Sequence, residues 1–174
     1  MTEPSASDVL VAGARGLARM TELRPFLESI LASVGAATGS ASGAVFIKDG
    51  HSGELTIAAS LDLGEQAAAG LVAAVRNPAH AVARTAATGE TAFDVLPGAP
   101  GGPALRAHVP LVVARDGGEQ IVGVLALAYD RPIDPALHPL VRAVADLAAV
   151  AVGSRERNRS IRRTEPIESD NDRP

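Results

Sequence analysis

No cysteine occurs in the 174 residues. That absence removes disulfides, thiolate nucleophiles and Cys-based metal sites. Aromatic residues are almost missing too. Phe26, Phe46, Phe93 and Tyr129 are the whole set, 2% of the chain. The core must therefore come from Ala, Val, Leu and Ile, and much of the 47% apolar content is Ala, which buries little area. Lysine occurs once, at Lys48, and the net charge is −4. That balance argues against a nucleic-acid-binding surface, which needs clustered Lys and Arg. The start, MTEPSASDV, lacks the basic residues and the apolar run of a signal peptide. No stretch approaches the uncharged length of a membrane span. A soluble, cytoplasmic protein of one domain, with no membrane partner, is the expectation.

What is present centres on His108 to Asp130, HVPLVVARDGGEQIVGVLALAYD. Two Val- and Leu-rich runs flank Asp116-Gly117-Gly118-Glu119, the pattern of a hairpin. Ile121 to Tyr129 carries no charge, and both its odd and its even positions are apolar. A strand with one wet face alternates, so this strand is expected at the centre of a sheet with both faces covered.

Upstream, Met1 to Ser7 is small and polar, as in a disordered terminus. Asp8 to Met20 suits a helix, although Gly13 and Gly16 each weaken it by roughly 1 kcal/mol against Ala. Thr21 can cap a second helix, in which Leu23, Phe26, Leu27, Ile30, Leu31 and Val34 form one apolar stripe. Gly39 and Ser40 end it. Gly43 to Lys48 and Glu54 to Ser60 are expected strands around an Asp49 to Gly53 turn. Gly64 to Val75 and Ala79 to Thr88 suit short helices, the second stopped by Gly89. Thr91 to Val95 suits a short strand, and Leu96 to Ala104 a Pro/Gly loop. Asp134 caps the last helix, with Pro135 in its first turn and a stripe of Leu137, Leu140, Val141, Val144, Leu147, Ala148 and Ala151. An Arg block and then an acidic block follow Gly153, as in a solvated helix end and a disordered tail. The expected division is residues 1–20 as an N-terminal arm or helix, 21–153 as the domain and 154–174 as a charged tail.

Four segments carry a resemblance. LRPFLESILASVGAATGSASGAVFIKD, HAVARTAATGETAF, LRAHVPLVV, and IVGVLALAYD with DPALHPLVRAVADLAAVAV resemble, in order and spacing, the segments of a GAF domain. The resemblance covers about Thr21 to Gly153. It implies an α+β fold: an antiparallel sheet with the first and last helices on one face, and short helices and a loop covering a pocket on the other. Bilin attachment and free methionine sulfoxide reduction in that family need Cys, which this chain lacks. The dispersed Asn-Lys, Phe, Asp-Glu signature of cyclic-nucleotide-binding members has no match, since Ile47 precedes Lys48.

Candidate chemistry is sparse. His51 falls in a turn and His138 in the first turn of a helix, both expected in solvent. His80 on a short helix and His108 on a central strand can face a pocket. One His can hold haem, as in some GAF domains, but a lone His is more commonly structural, and no cofactor is expected. The four His are 29, 28 and 30 residues apart, with no local pair for zinc, so no metal site is expected. Arg84 and Arg106 flank the expected pocket and can pair with a carboxylate or phosphate, although an exposed Arg is the commoner arrangement. Asp62, Glu65, Glu90 and Asp94 show no paired spacing for acid–base work. The expected ligand-binding residues are His80, Arg84, Phe93, Arg106, His108 and Tyr129, and no catalytic residue is expected.

Two functions fit these residues better than an enzyme, for which no nucleophile, metal set or dyad is visible. The first is a non-catalytic regulatory module that senses an unidentified small molecule. It would act through dimerisation or a signalling-protein partner. The alternative is a degenerate scaffold for dimerisation or protein interaction with no ligand. Small side chains at Gly123, Ala126 and Ala128 could leave room for a ligand or let a lid collapse. Val150 and Val152 on the last helix, with Val9, Leu10, Val11 and Leu17 upstream, are apolar beyond the stripes. They suggest a homodimer through residues 8–34 and 134–153, against the alternative that the N-terminal arm folds back over them.

Overall fold

The computed structural model describes residues 5–95, 105–115, 117–130 and 133–164. Helices α1 (Ala6–Ala18) and α2 (Leu23–Thr38) lead into strands β1 (Ser42–Lys48) and β2 (Leu55–Leu61). Two short helices follow, α3 (Glu65–Ala74) and α4 (Ala81–Thr88). Strands β3 (Ala92–Val95), β4 (Leu105–Arg115) and β5 (Gly118–Tyr129) come next, then a single 3-10 turn at Pro135–Leu137 and helix α5 (His138–Thr164). The expected loop at 96–104, as well as Asp116, 131–132 and 165–174, lies outside the described residues.

The sheet is antiparallel with order β2-β1-β5-β4-β3, so β5 is its middle strand. The missing alternation in Ile121 to Tyr129 has its cause there: α1, α2 and α5 cover one face, α3 and α4 the other. The first face holds the main core, with Leu27, Leu31, Val45, Leu111, Leu125 and Val141 fully buried. The second holds a smaller one around Phe46, Val82, Ala86 and Val124. A bulge helps β5 to serve both. Leu111 pairs with Gly123 but Val112 with Ile121. The extra residue puts Val122 and Leu125 in the same core, three positions apart.

Several boundaries differ from the sequence reading. Glu22, not Thr21, is the N-cap of α2, and its side chain makes no cap bond. Pro25 stands at the third helical position and has no N–H, so there is one donor fewer for a cap to satisfy. Ser5 and Asp8 close a capping box on α1, with Ser5 Oγ accepting from the Asp8 N–H at 3.2 Å. Helix α1 therefore begins at Ala6, inside the stretch expected to be disordered. Gly39 and Gly89 end α2 and α4 in the left-handed conformation, φ 70 and 73°.

Helix α5 does not stop at Gly153. That glycine is helical and lets α5 lie against β4, where a Cβ would meet Val113 Cγ1 at 3.0 Å. An Arg115–Glu156 ion pair then ties the continuing helix to the end of β4. So the Arg block, read as a solvated helix end within the charged tail, continues α5 to Thr164.

Helix α1 folds back over its own chain, against both α2 and α5. The two glycines that weaken it permit this approach. A Cβ on Gly13 would stand 2.7 Å from Leu147 Cδ1, and one on Gly16 3.4 Å from the Phe26 ring. Val9 and Val152 are thereby buried, and Leu10 and Leu17 pack against the core. Of the apolar residues left over by the sequence reading, Val11 and Val150 stay exposed, at 46% and 49%. The same packing explains why the Pro135–Arg157 segment is apolar enough to cross a membrane by length and composition: half of that window is buried inside the fold.

Candidate functional site: a cleft between the sheet and two short helices

The lid side of the sheet is incompletely filled. A cleft of about 670 Å³ lies between the β1, β5 and β4 face and helices α3 and α4. Its floor is small: Gly43 and Ala44 on β1, Ala126 and Ala128 on β5. Ala67, Gly70, Leu71 and Ala74 on α3 form one wall, His80, Val82 and Arg84 on α4 another. Gly123, expected to help make room, does not line it; it stands where β1 and β5 approach closely.

Strand pairing fixes which polar groups enter. His108 faces Ala126 across the β4–β5 ladder and Arg106 faces Ala128. Residues two apart on a strand share a face, so β4 sends both Arg106 and His108 to the cleft. His108 is 4% exposed. Its Nδ1 has no hydrogen bond to the described residues, while other interactions engage the side chain. Burial pushes the Arg106 guanidinium down from its ordinary value, and Asp130, just past β5, acts in the opposite sense. A guanidinium stays charged through such shifts.

The α4 wall begins at its cap. His80 is the N-cap residue, not a first-turn residue, and its Nδ1 accepts from the Val82 N–H at 3.3 Å. An accepting Nδ1 places the proton of the neutral ring on Nε2, which is left as a donor. Burial, and then the nearby Arg84, hold its pKa below the usual imidazole value. Arg84 stands one turn on, at the exposed rim of the cleft.

Four of the six residues expected at a pocket, His80, Arg84, Arg106 and His108, thus line one cleft. The other two do not. Phe93 pairs with Ala107, so it points to the main-core face. There it stacks on His138 with ring centroids 3.6 Å apart, and Arg142 lies 6.0 Å from its centroid. His138 is therefore half-buried against an aromatic ring and not in solvent. Tyr129 is 1% exposed in the main core, its hydroxyl donating to Thr38 Oγ1 at 3.2 Å. Burial raises the Tyr129 pKa, and the Thr38 bond opposes that. His51 is exposed in its turn. Sequence reasoning missed Leu63, Leu71 and Val82 as lining residues. Short apolar helices give no sign of which side chains meet a sheet. Among the described residues, no three His, Asp or Glu gather into a metal site.

No family profile matches the chain, and no curated protein matches it in sequence. Solved structures do match its fold. The GAF domain of a phosphoenolpyruvate-protein phosphotransferase from Acinetobacter superposes with a TM-score of 0.69 at 14% identity, covering 87% of this chain and 94% of that one. The corresponding domain from Coxiella burnetii gives 0.69 at 13% identity over 92% and 99%. Free methionine-R-sulfoxide reductase from Neisseria meningitidis, in complex with its substrate, gives 0.64 at 16% identity over 88% and 91%. The fold of this chain is that of GAF domains, as the four sequence segments implied.

Proposed function

We propose that this chain is a non-catalytic regulatory module that senses a small molecule in the cleft between its sheet and α3–α4. The observation that carries the reading is the cleft itself. Its volume lies within the roughly 300–1,000 Å³ range of ligand pockets. Its lining is mostly apolar, with a few convergent polar groups: His80, Arg84, Arg106 and His108. The GAF fold of sensor and phosphotransferase domains supports a regulatory role. The absence of cysteine argues against the thiol chemistry that the resemblance associates with the reductases. In this reading the module works in the cytoplasm, and its output passes through a second copy or a signalling protein. Native mass spectrometry of the protein purified from its own host tests the first half. A bound mass lost on unfolding is the expected result. A bare chain mass, together with no stabilisation by any small molecule, would leave only the alternative of a ligand-free scaffold.

A further inference from the structure

We propose that the cleft takes an uncharged aliphatic molecule that carries a hydrogen-bond acceptor, such as a carbonyl oxygen. This rests on the small-molecule reading above and narrows its ligand class. Helix α3 carries the argument. After Gln66 it holds only Ala, Gly, Leu and Val. Ala67, Gly70, Leu71 and Ala74 recur at i, i+3, i+4 and i+7, the stripe that a helix ordinarily buries. Here that stripe lines the cleft, and α3 buries none of its residues fully. On the sheet side stand Ala44, Ala126 and Ala128. Two apolar surfaces thus face one open space, and an aliphatic body between them would remove both from water.

The charges near the cleft are already answered. Arg106 and His108, which β4 sends to it, are engaged by other groups of the protein. Asp130 acts on the Arg106 guanidinium, and Asp94 is its partner in the β3–β4 register. Arg84 stands at the exposed rim, where water screens it and an ion pair contributes little. No Asp or Glu is among the described lining residues, so a cation meets no carboxylate there. An ion placed inside would lose hydration without a counter-ion in return. A neutral donor remains: His80, its Nδ1 committed to the Val82 N–H, has Nε2–H for an acceptor. No Phe or Tyr is among the described lining residues either. A purine or a tetrapyrrole would find no ring to stack on, whereas a methylene chain needs none.

Occupancy would then act on α3. Elements with few buried contacts open at low free energy. A ligand that gives the α3 stripe a core would hold that helix against the sheet, and so change the surface that α3 and α4 present.

Amide NMR of the whole chain, titrated with 2-pentanone, 2-hexanone and 2-heptanone, tests this, with heptanoate and heptylammonium as charged counterparts. The ketones should shift the amides of Ala74, Val82 and Ala126 saturably. Each added methylene should tighten binding by roughly fourfold, the transfer free energy of one CH₂ group. The two ions should bind about tenfold more weakly, or worse. A Cβ on Gly70 would meet nothing within 4 Å, so Gly70→Leu puts a side chain into the opening while raising helix propensity. It should abolish ketone binding and leave the rest of the spectrum native. Ala126→Leu fills the cleft from the sheet side and should do the same; it decides if Gly70→Leu fails to fold. Arg15→Gln, exposed on α1, should leave binding unchanged. No saturable shift with any ketone, or ketone binding undiminished in a folded Gly70→Leu or Ala126→Leu variant, overturns the proposal. Heptanoate or heptylammonium bound as tightly as 2-heptanone also overturns it but leaves the sensing reading standing. That reading falls separately, on a bare chain mass for the protein from its own host.

Discussion

A Cβ at position 123 would collide with the Phe46 carbonyl oxygen and stand 3.1 Å from Leu111 Cδ1. The first obstacle is backbone in a paired strand, which cannot swing aside. Gly123→Ala should therefore cost about 1–3 kcal/mol or more, the range of overpacked cores. The loss should appear in urea as a lower midpoint at unchanged slope. Leu125→Ala, two residues on, fails for the opposite reason. It empties a site that is 1% exposed, and should cost about 2–5 kcal/mol. A shift near zero for either would contradict the described packing at the β1–β5–β4 centre. At the same scale, small side chains in one strand do unlike things. Ala126 and Ala128 leave space for the cleft, while Gly123 leaves none.

Two helices depend on details of this kind. Helix α4 is capped by a neutral imidazole, an acceptor only while Nδ1 is unprotonated. The His80 pKa is lowered in the fold, by burial first and by Arg84 second. The unfolded chain therefore takes up this proton at higher pH than the folded one. The contribution is complete above about 6.5 and is lost as pH falls through the lower folded value. Amide exchange at Val82, corrected for its intrinsic pH dependence, should lose protection on acidification. His80→Asn, which caps without titrating, should abolish that pH dependence. Helix α1 depends on two glycines with different neighbours. Gly16→Ala meets only the Phe26 ring at ordinary contact distance, so its gain in helix propensity, roughly 1 kcal/mol, should show as stabilisation. Gly13→Ala meets Leu147 Cδ1 at 2.7 Å and should gain less than Gly16→Ala, because that side chain must turn aside to admit the methyl group. Equal stabilisation by both would mean that α1 is not docked as described.

For the whole molecule, the open question of assembly narrows to two side chains. With α1 folded over α2 and α5, the exposed large apolar residues among those described are Val11 and Val150. If two copies associate through their helical layer, Val150→Glu with Val11→Glu should separate them while circular dichroism stays native. Leu17→Glu does not serve for this test, because Leu17 packs against the core. Light scattering of the unaltered chain at high micromolar concentration supplies the baseline; a monomer mass there would remove the homodimer from the proposed mechanism.

The sequence determined the elements and their order. The helix stripes, the Gly39 and Gly89 stops, the Asp134 cap (which serves the 3-10 turn leading into α5 and not α5 itself) and the uncharged Ile121 to Tyr129 run are local patterns. Each reports how much of an element is covered, and together they led to the GAF fold. They do not report what covers it. Phe93 and His108 belong to neighbouring strands and equally apolar surroundings, yet one reaches the helical layer and the other the cleft. Pairing register decides this, since a one-residue shift exchanges the two faces of a strand. Likewise Gly153 carries the same side chain, a hydrogen, whether it ends a helix or lies flat on β4. In the fold that helix passes over Val113 and carries Glu156 to Arg115, contacts that the glycine by itself does not announce. The tertiary structure decided the site because the cleft is a gap between elements, and a gap is set by how surfaces fit together.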